Sequence, residues 1–286
     1  MKIRSVTLML SLSLVSCVAL AQEVATRMVF VPIHVANHQG NSNHTGAFGS
    51  RWNSVLSASL PEDGRDPDLD RVTIPAAIPP CIFPCGEFPV TEGAVAYLRL
   101  MPGFGAESKS WVLEIEGERA QDLVMNLRVW DEASQFQEAG VEIPVLDVED
   151  LPRGTVHLLD VPSPSDRYRS HLRLYIVPRS ARAIEARGLI VRVWGYDSER
   201  ASRSTYAPKT FLGERLIQLL PGAVSGLDNA IIHPAYAFVD VAQLFPDLAD
   251  GRLKIEISSG DDSSLYAFVS TTNNQTNAVT VHLPVK

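Results

Sequence analysis

Three of the chain's seven histidines fall in one short stretch, His34, His38 and His44, spaced H-x3-H-x5-H. Neutral imidazole is a common zinc ligand, so the stretch raises the question of a metal site. An i, i+4 pair converges on one ion when it sits on a helix, but Ala36-Asn-His-Gln-Gly-Asn41 is made of turn residues. No His-Glu-x-x-His is present to supply the general base of a zinc protease. The simpler reading is a strand end followed by a polar loop with solvated histidines. Hard oxygen ligands are better represented in EDGRDPDLDR, where Asp66, Asp68 and Asp70 follow Asp63 with the D-x-D-x-D spacing of calcium loops. Counted from Asp66, the sixth residue is Arg71 and the twelfth Ala77, where an EF-hand has Gly and Glu. Asp66, Asp68 and Asp70 are therefore the candidate metal ligands and calcium the candidate ion, set against a plain acidic loop.

Nucleophile signatures are missing: there is no Gly-x-Ser-x-Gly and no Ser-x-x-Lys. Gly103-Phe-Gly105 lacks the third glycine and the strand-to-helix setting of a dinucleotide fingerprint. Glycosidase chemistry needs two carboxylates across a cleft, and Asp147 with Glu149 or Asp150, or Asp261 with Asp262, are the pairs on offer. Trp52, Trp130, Trp194, Tyr196 and Tyr206 could stack on sugars, although the simpler reading is that they anchor a sandwich core or edge. Asn43-His-Thr45 and Asn274-Gln-Thr276 are glycosylation sequons, relevant only in a eukaryotic secretory pathway.

The elements that must position these groups are short alternating runs rich in Val, Ile, Leu and aromatics. Trp111-Val-Leu-Glu-Ile-Glu116, Leu123–Trp130, His171–Val177, Leu189–Trp194, Arg252–Ile257 and Val279–Leu283 all alternate with period two, as half-buried antiparallel strands do. Helical candidates are confined to Val239–Leu248 and Ala181–Ala186.

An internal repeat organises the strands. A slide of 140 residues lays the segment from Trp111 to Val145 on that from Gly251 to Val285 without a gap. Leu113, Ile115, Glu116, Asp122, Val129, Gln135, Val141, Pro144 and Val145 meet Leu253, Ile255, Glu256, Asp262, Val269, Gln275, Val281, Pro284 and Val285. Earlier, Arg51-Trp-Asn-Ser-Val-Leu56 answers Arg167-Tyr-Arg-Ser-His-Leu172, and His34 answers His157 on the strand before. Each copy is expected to be an antiparallel β-sandwich, immunoglobulin-like or jelly-roll-like, because an amphipathic sheet must cover its apolar face with another layer. The domains are then 22–151 and 152–286, joined at Glu149–Gly154.

Gly49–Leu56, Asp240–Pro246 with Gly251–Ile255, and the closing Tyr266–Thr280 also resemble an uncharacterised group of secreted tandem β-sandwich proteins of soil bacteria. The resemblance implies export and architecture; it carries no site residue.

Residues 1–21 read as a secretory signal: Lys2 and Arg4, an uncharged apolar run, then Ala19-Leu-Ala21 before Gln22. Leu14-Val-Ser-Cys17 also has lipobox form, so a lipid anchor at Cys17 is the alternative. No later apolar run reaches about 18 residues, so no transmembrane segment is expected in the mature chain. Export places Cys81 and Cys85 in an oxidising compartment, where they are expected to form a disulfide pinning a local turn. Their C-x3-C spacing departs from the C-x2-C of zinc and thioredoxin motifs.

With 33 acidic against 25 basic residues and a net charge of −8, the chain does not read as a nucleic-acid binder. Nine arginines nevertheless crowd residues 166–203, either as a patch for an anionic polysaccharide or lipid surface, or as solvated outward strand faces. Together these features lead to an exported, non-enzymatic structural or binding protein whose partner is an extracellular or cell-envelope component such as a polysaccharide. The alternative is a carbohydrate-active or other hydrolase using the acidic loop.

Overall fold

A computed structural model describes residues 26–34, 52–62, 72–74, 88–98, 109–131, 140–179, 187–197, 209–225, 231–248, 251–276 and 278–285. The chain is all-β. Its first half supplies β1 (Thr26–His34), β2 (Trp52–Ser59), β3 (Val72–Ile74), β4 (Phe88–Val90), β5 (Val95–Leu98), β6 (Lys109–Glu116), β7 (Val124–Asp131), β8 (Val141–Ile143) and β9 (Leu146–Asp147). The second half runs through β10 (Thr155–Pro162), β11 (Tyr168–Val177), β12 (Gly188–Tyr196), β13 (Thr210–Gln218), β14 (Ala223–Ser225), β15 (Ile231–His233) and β16 (Ala235–Asp240). It ends with the single turn α1 (Val241–Leu244), β17 (Arg252–Ser258), β18 (Ser264–Asn273), β19 (Val279–His282) and β20 (Pro284–Val285). Asp240 caps α1 by accepting from the Ala242 amide at 2.8 Å.

Strand order repeats between the halves. One sheet runs β4-β3-β6-β1-β9 in the first half and β13-β12-β17-β10-β20 in the second; the other runs β5-β2-β7-β8 and β16-β11-β18-β19. All pairings named in these sheets are antiparallel. Alternation builds the sandwich in each half. Leu56 and Ala58 of β2 and Leu127 and Val129 of β7 share a core with Val29 and Val31 of β1 and Leu113 and Ile115 of β6. Leu172 and Leu174 of β11 and Ala267 and Val269 of β18 do the same with Val191, Val193, Leu253 and Ile255.

The register refines the repeat. Glu116 and Glu256, matched by the 140-residue slide, lie opposite Thr26 and His157, so His157 holds the place of Thr26 and not of His34. His34 lies opposite Lys109, beyond a bulge. Likewise, Ser57 and Tyr175 are the partners of Asn126 and Tyr266, which shifts the β2-to-β11 match by two residues from the sequence alignment. A two-residue slip keeps every side chain on its face, so the apolar pattern alone could not detect it.

Two features join the halves. Phe30, on the face of β1 opposite Val29 and Val31, packs edge-on against Tyr175 at 5.3 Å and Tyr266 at 5.4 Å between ring centroids. The sheet β16-β11-β18-β19 is therefore covered on its second side around Tyr175 and Tyr266, and β18 is buried almost without alternation. The β14–β15 hairpin of the second half also pairs with β6 of the first, Ile231 opposite Leu113 and Ile232 opposite Val112, which puts Ile232 fully inside the first core. Its stem is closed by reciprocal backbone bonds between Leu220 and Tyr236. Among the described residues no helix is long and apolar enough to cross a membrane.

Candidate functional site

Of the groups singled out by type and spacing, His38, His44, Asp66, Asp68, Asp70, Cys81, Cys85, Tyr206 and the sequon Asn43 lie outside the described residues. Among the described residues no cluster of three His, Cys, Asp or Glu side chains is arranged to hold a metal ion. Three of the candidate carboxylates are ion-paired. Asp147 binds Arg27 at 2.6 Å, and that guanidinium also donates to the carbonyls of Ala120 and Leu123. Asp261 binds Arg187 at 2.6 Å and Asp262 binds Arg153 at 3.1 Å. Hydrogen bonding from Ser263, with Ser259 and Arg187 adding to it, holds the Asp261 carboxyl below its ordinary value, the opposite of what a general acid needs.

The arginines of 166–203 do not form one patch among the described residues. Arg169 and Arg173 project from β11 while Arg192 projects from β12 in the other sheet. Arg173 lies 4.2 Å from the Phe238 ring centroid, and Arg169 donates to Asn274.

One surface does assemble several candidates. Leu189, Val191 and Val193 of β12 and Leu253, Ile255 and Ile257 of β17 point into the second core. Alternation therefore sends Arg192, Trp194 and Tyr196, with Arg252, Lys254 and Glu256, to the outer face. His157 of β10 and Glu214 of β13 join them through the pairs His157–Glu256 and Arg192–Glu214.

Trp194 sits between Lys254 on β17 and Phe211 on β13. The Phe211 ring is 5.5 Å away and tilted by 56°, while the Lys254 and Lys209 ammonium groups lie 4.9 and 5.3 Å from the indole centroid. Both distances fall within cation–π range. Phe211 is 55% exposed on β13, the outermost strand of its sheet among the described residues. A bulge displaces the β12–β13 register beside Gly213, whose φ of 155° suits glycine, and it sets Phe211 beside Trp194. Gly195 leaves room for Leu212, which would lie 2.9 Å from an added Cβ.

Beside the aromatic end runs an ion-pair ladder. Arg192 bridges Glu214 at 2.6 Å and Glu256 at 3.3 Å; Lys254 and His157 each reach Glu256 at 3.6 Å. The hydrogen bonds that the guanidinium donates to the two carboxylates, Glu214 first, raise the Arg192 pKa above its already high ordinary value. On the other flank, Asp160 accepts from Tyr196 Oη at 3.2 Å and faces Arg252 at 3.6 Å. Asp160 has a φ of 58° at the β10 bulge, a conformation Asp tolerates better than most residues. Burial, then the Asp160 charge, raise the Tyr196 hydroxyl pKa.

Trp194 and Tyr196 were legible as stacking candidates from the sequence. Lys209, Phe211 and Lys254 were not, because only the pairing of β12 with β13 and β17 brings them to the indole. Trp130 is half-buried on β7, and Trp52 opens β2. No family model, no curated protein and no solved structure matches the chain.

Proposed function

We propose that the protein is an exported, non-enzymatic binding protein that takes a polysaccharide of the extracellular space or cell envelope on the outer face of β13-β12-β17-β10. The observation that carries this reading is the outward-facing aromatic pair of half-buried Trp194 and exposed Phe211, the latter on the outermost strand of the sheet among the described residues, bordered by polar side chains that are already ion-paired. An aromatic face stacks on the apolar face of a sugar ring, and the surrounding donors and acceptors can serve hydroxyl groups. An open sheet face also suits a long polymer that no closed pocket could enclose. The ion-paired state of Asp147, Asp261 and Asp262 further favours binding over hydrolysis.

The test is retention of the mature protein on insoluble polysaccharides and envelope fractions, with and without calcium. Replacing Trp194 and Phe211 together by Ala is expected to weaken retention at least tenfold, about 1.4 kcal/mol. Undiminished retention by the double variant would overturn the proposal. So would steady release of new reducing ends that is lost on carboxylate mutation.

A further inference from the structure

Resting on that reading, we infer that the polymer is acidic, a uronate-type polysaccharide whose carboxylates meet the lysines around Trp194. The charge balance of the face supports this. Arg192, Lys209 and Lys254 bring three permanent cations to a cluster whose carboxylates are Glu214 and Glu256, in a chain of net charge −8. Glu256 is shared among Arg192, Lys254 and His157, so one carboxylate is asked to serve several donors. Arg252 and Asp160 pair with each other on the flank and leave the surplus unchanged.

The excess sits at the aromatic end. Among the described residues Lys209 has no carboxylate partner; its ammonium is committed only to the indole face, 5.3 Å from the ring centroid. Lys209 and Phe211 stand at the exposed start of β13, two residues apart, so a sugar stacked at the aromatic pair has an ammonium beside it. A cation over an aromatic ring keeps its attraction for an incoming anion, since the ring contributes about 0.5–1 kcal/mol at an exposed site and no countercharge. Neutral glucans would use the aromatic pair and leave this charge unanswered. A polymer with one carboxylate per sugar answers it at successive residues along the edge.

Nucleic acid is the other polyanion that stacks on aromatics. Its charge density, about one phosphate per 3.4 Å along each strand, is poorly matched to a small cationic surplus on an acidic protein.

The experiment measures binding of the mature chain to polygalacturonate, to a neutral β-glucan and to oligodeoxythymidine, at low and at roughly 0.5 M salt, where charges beyond a few ångströms are screened. The variants are Trp194→Ala, Lys209→Glu, and Lys209→Gln combined with Lys254→Gln, with circular dichroism to verify folding. Polygalacturonate is expected to bind at least tenfold more tightly than β-glucan at low salt, and to lose that margin at high salt. Lys209→Glu and the double lysine variant should lose the margin too, while Trp194→Ala weakens both polysaccharides. Equal affinity for the two, unchanged in both lysine variants, overturns the acidic inference and leaves polysaccharide binding standing. Retention of neither overturns the functional reading itself. Preference for oligodeoxythymidine over polygalacturonate overturns the choice of polymer.

Discussion

Tyr97, Ser57 and Asn126 occupy the same three sheet positions in the first half that Tyr236, Tyr175 and Tyr266 occupy in the second. The row crosses β5, β2 and β7 in register in the first half and β16, β11 and β18 in the second. The first row faces water: Tyr97 is 69% exposed, and Asn126 donates to Glu142 at 3.3 Å. The second is covered by Phe30, and Tyr175 and Tyr266 are almost completely buried. Strand order is therefore silent about which sheet lies inside the molecule. Both rows hold a tyrosine at one end, and the other two positions decide it: Ser57 and Asn126 where the sheet ends at solvent, Tyr175 and Tyr266 where another sheet lies on top.

The largest effect that could break this comparison is Tyr266→Ala. Truncating a large buried aromatic costs roughly 3–5 kcal/mol, and denaturant unfolding should read a loss in that range. A loss below about 1 kcal/mol would mean that the row is not a core. Tyr266→Phe separates ring from hydroxyl. Among the described residues that hydroxyl is buried without a hydrogen-bond partner, and burial, then Tyr175, push its pKa far above a phenol's ordinary value. Its removal is expected to be neutral or stabilising, because an unpaired buried hydroxyl costs about 1–3 kcal/mol.

Next in size is Ile232→Ala, which tests whether the first half depends on the second for its core. Ile232 is fully buried among first-half residues although its strand belongs to the later repeat. A loss of roughly 2–5 kcal/mol is expected. Faster amide exchange at Val112 and Leu113, with Leu172 and Leu174 protected, would locate the damage in the first half. Equal loosening of both halves would show that they unfold only as one.

The alternation of β6, β7, β12 and β17 and the 140-residue repeat made the all-β sandwich legible, because one-sided burial writes itself as period two. Other parts were illegible for definite reasons. Leu265-Tyr-Ala-Phe-Val269 announces two-sided burial by its unbroken apolar run, but no local feature says what lies on the second face. The β14–β15 hairpin finds its partner more than 110 residues away, across the repeat boundary. Lys209-Thr-Phe-Leu-Gly-Glu-Arg-Leu-Ile217 has little apolar alternation because an exposed edge strand buries little, so the strand that completes the candidate face was missed. Trp194 and Tyr196 could be named from type alone, whereas the cations around the indole required the register.

The smallest stability effect gives the sharpest form of the comparison. Ser57→Tyr with Asn126→Tyr would rebuild the second half's aromatic row on the first half's solvent face, beside Tyr97 and one row from the exposed Val95 and Val124 that flank Ser59. Because no described residue covers that face, where Tyr97, Val95 and Val124 are exposed, unfolding free energy should move by no more than about 0.5 kcal/mol per substitution, as for ordinary surface changes. The enlarged apolar patch should instead appear as concentration-dependent self-association in sedimentation velocity, since contiguous exposed apolar area of that kind seeks a partner. If the double variant gains several kcal/mol as a monomer, the aromatic row is stabilising without a covering sheet. The contrast between the halves would then rest on the tyrosines' cross-strand contacts and not on Phe30.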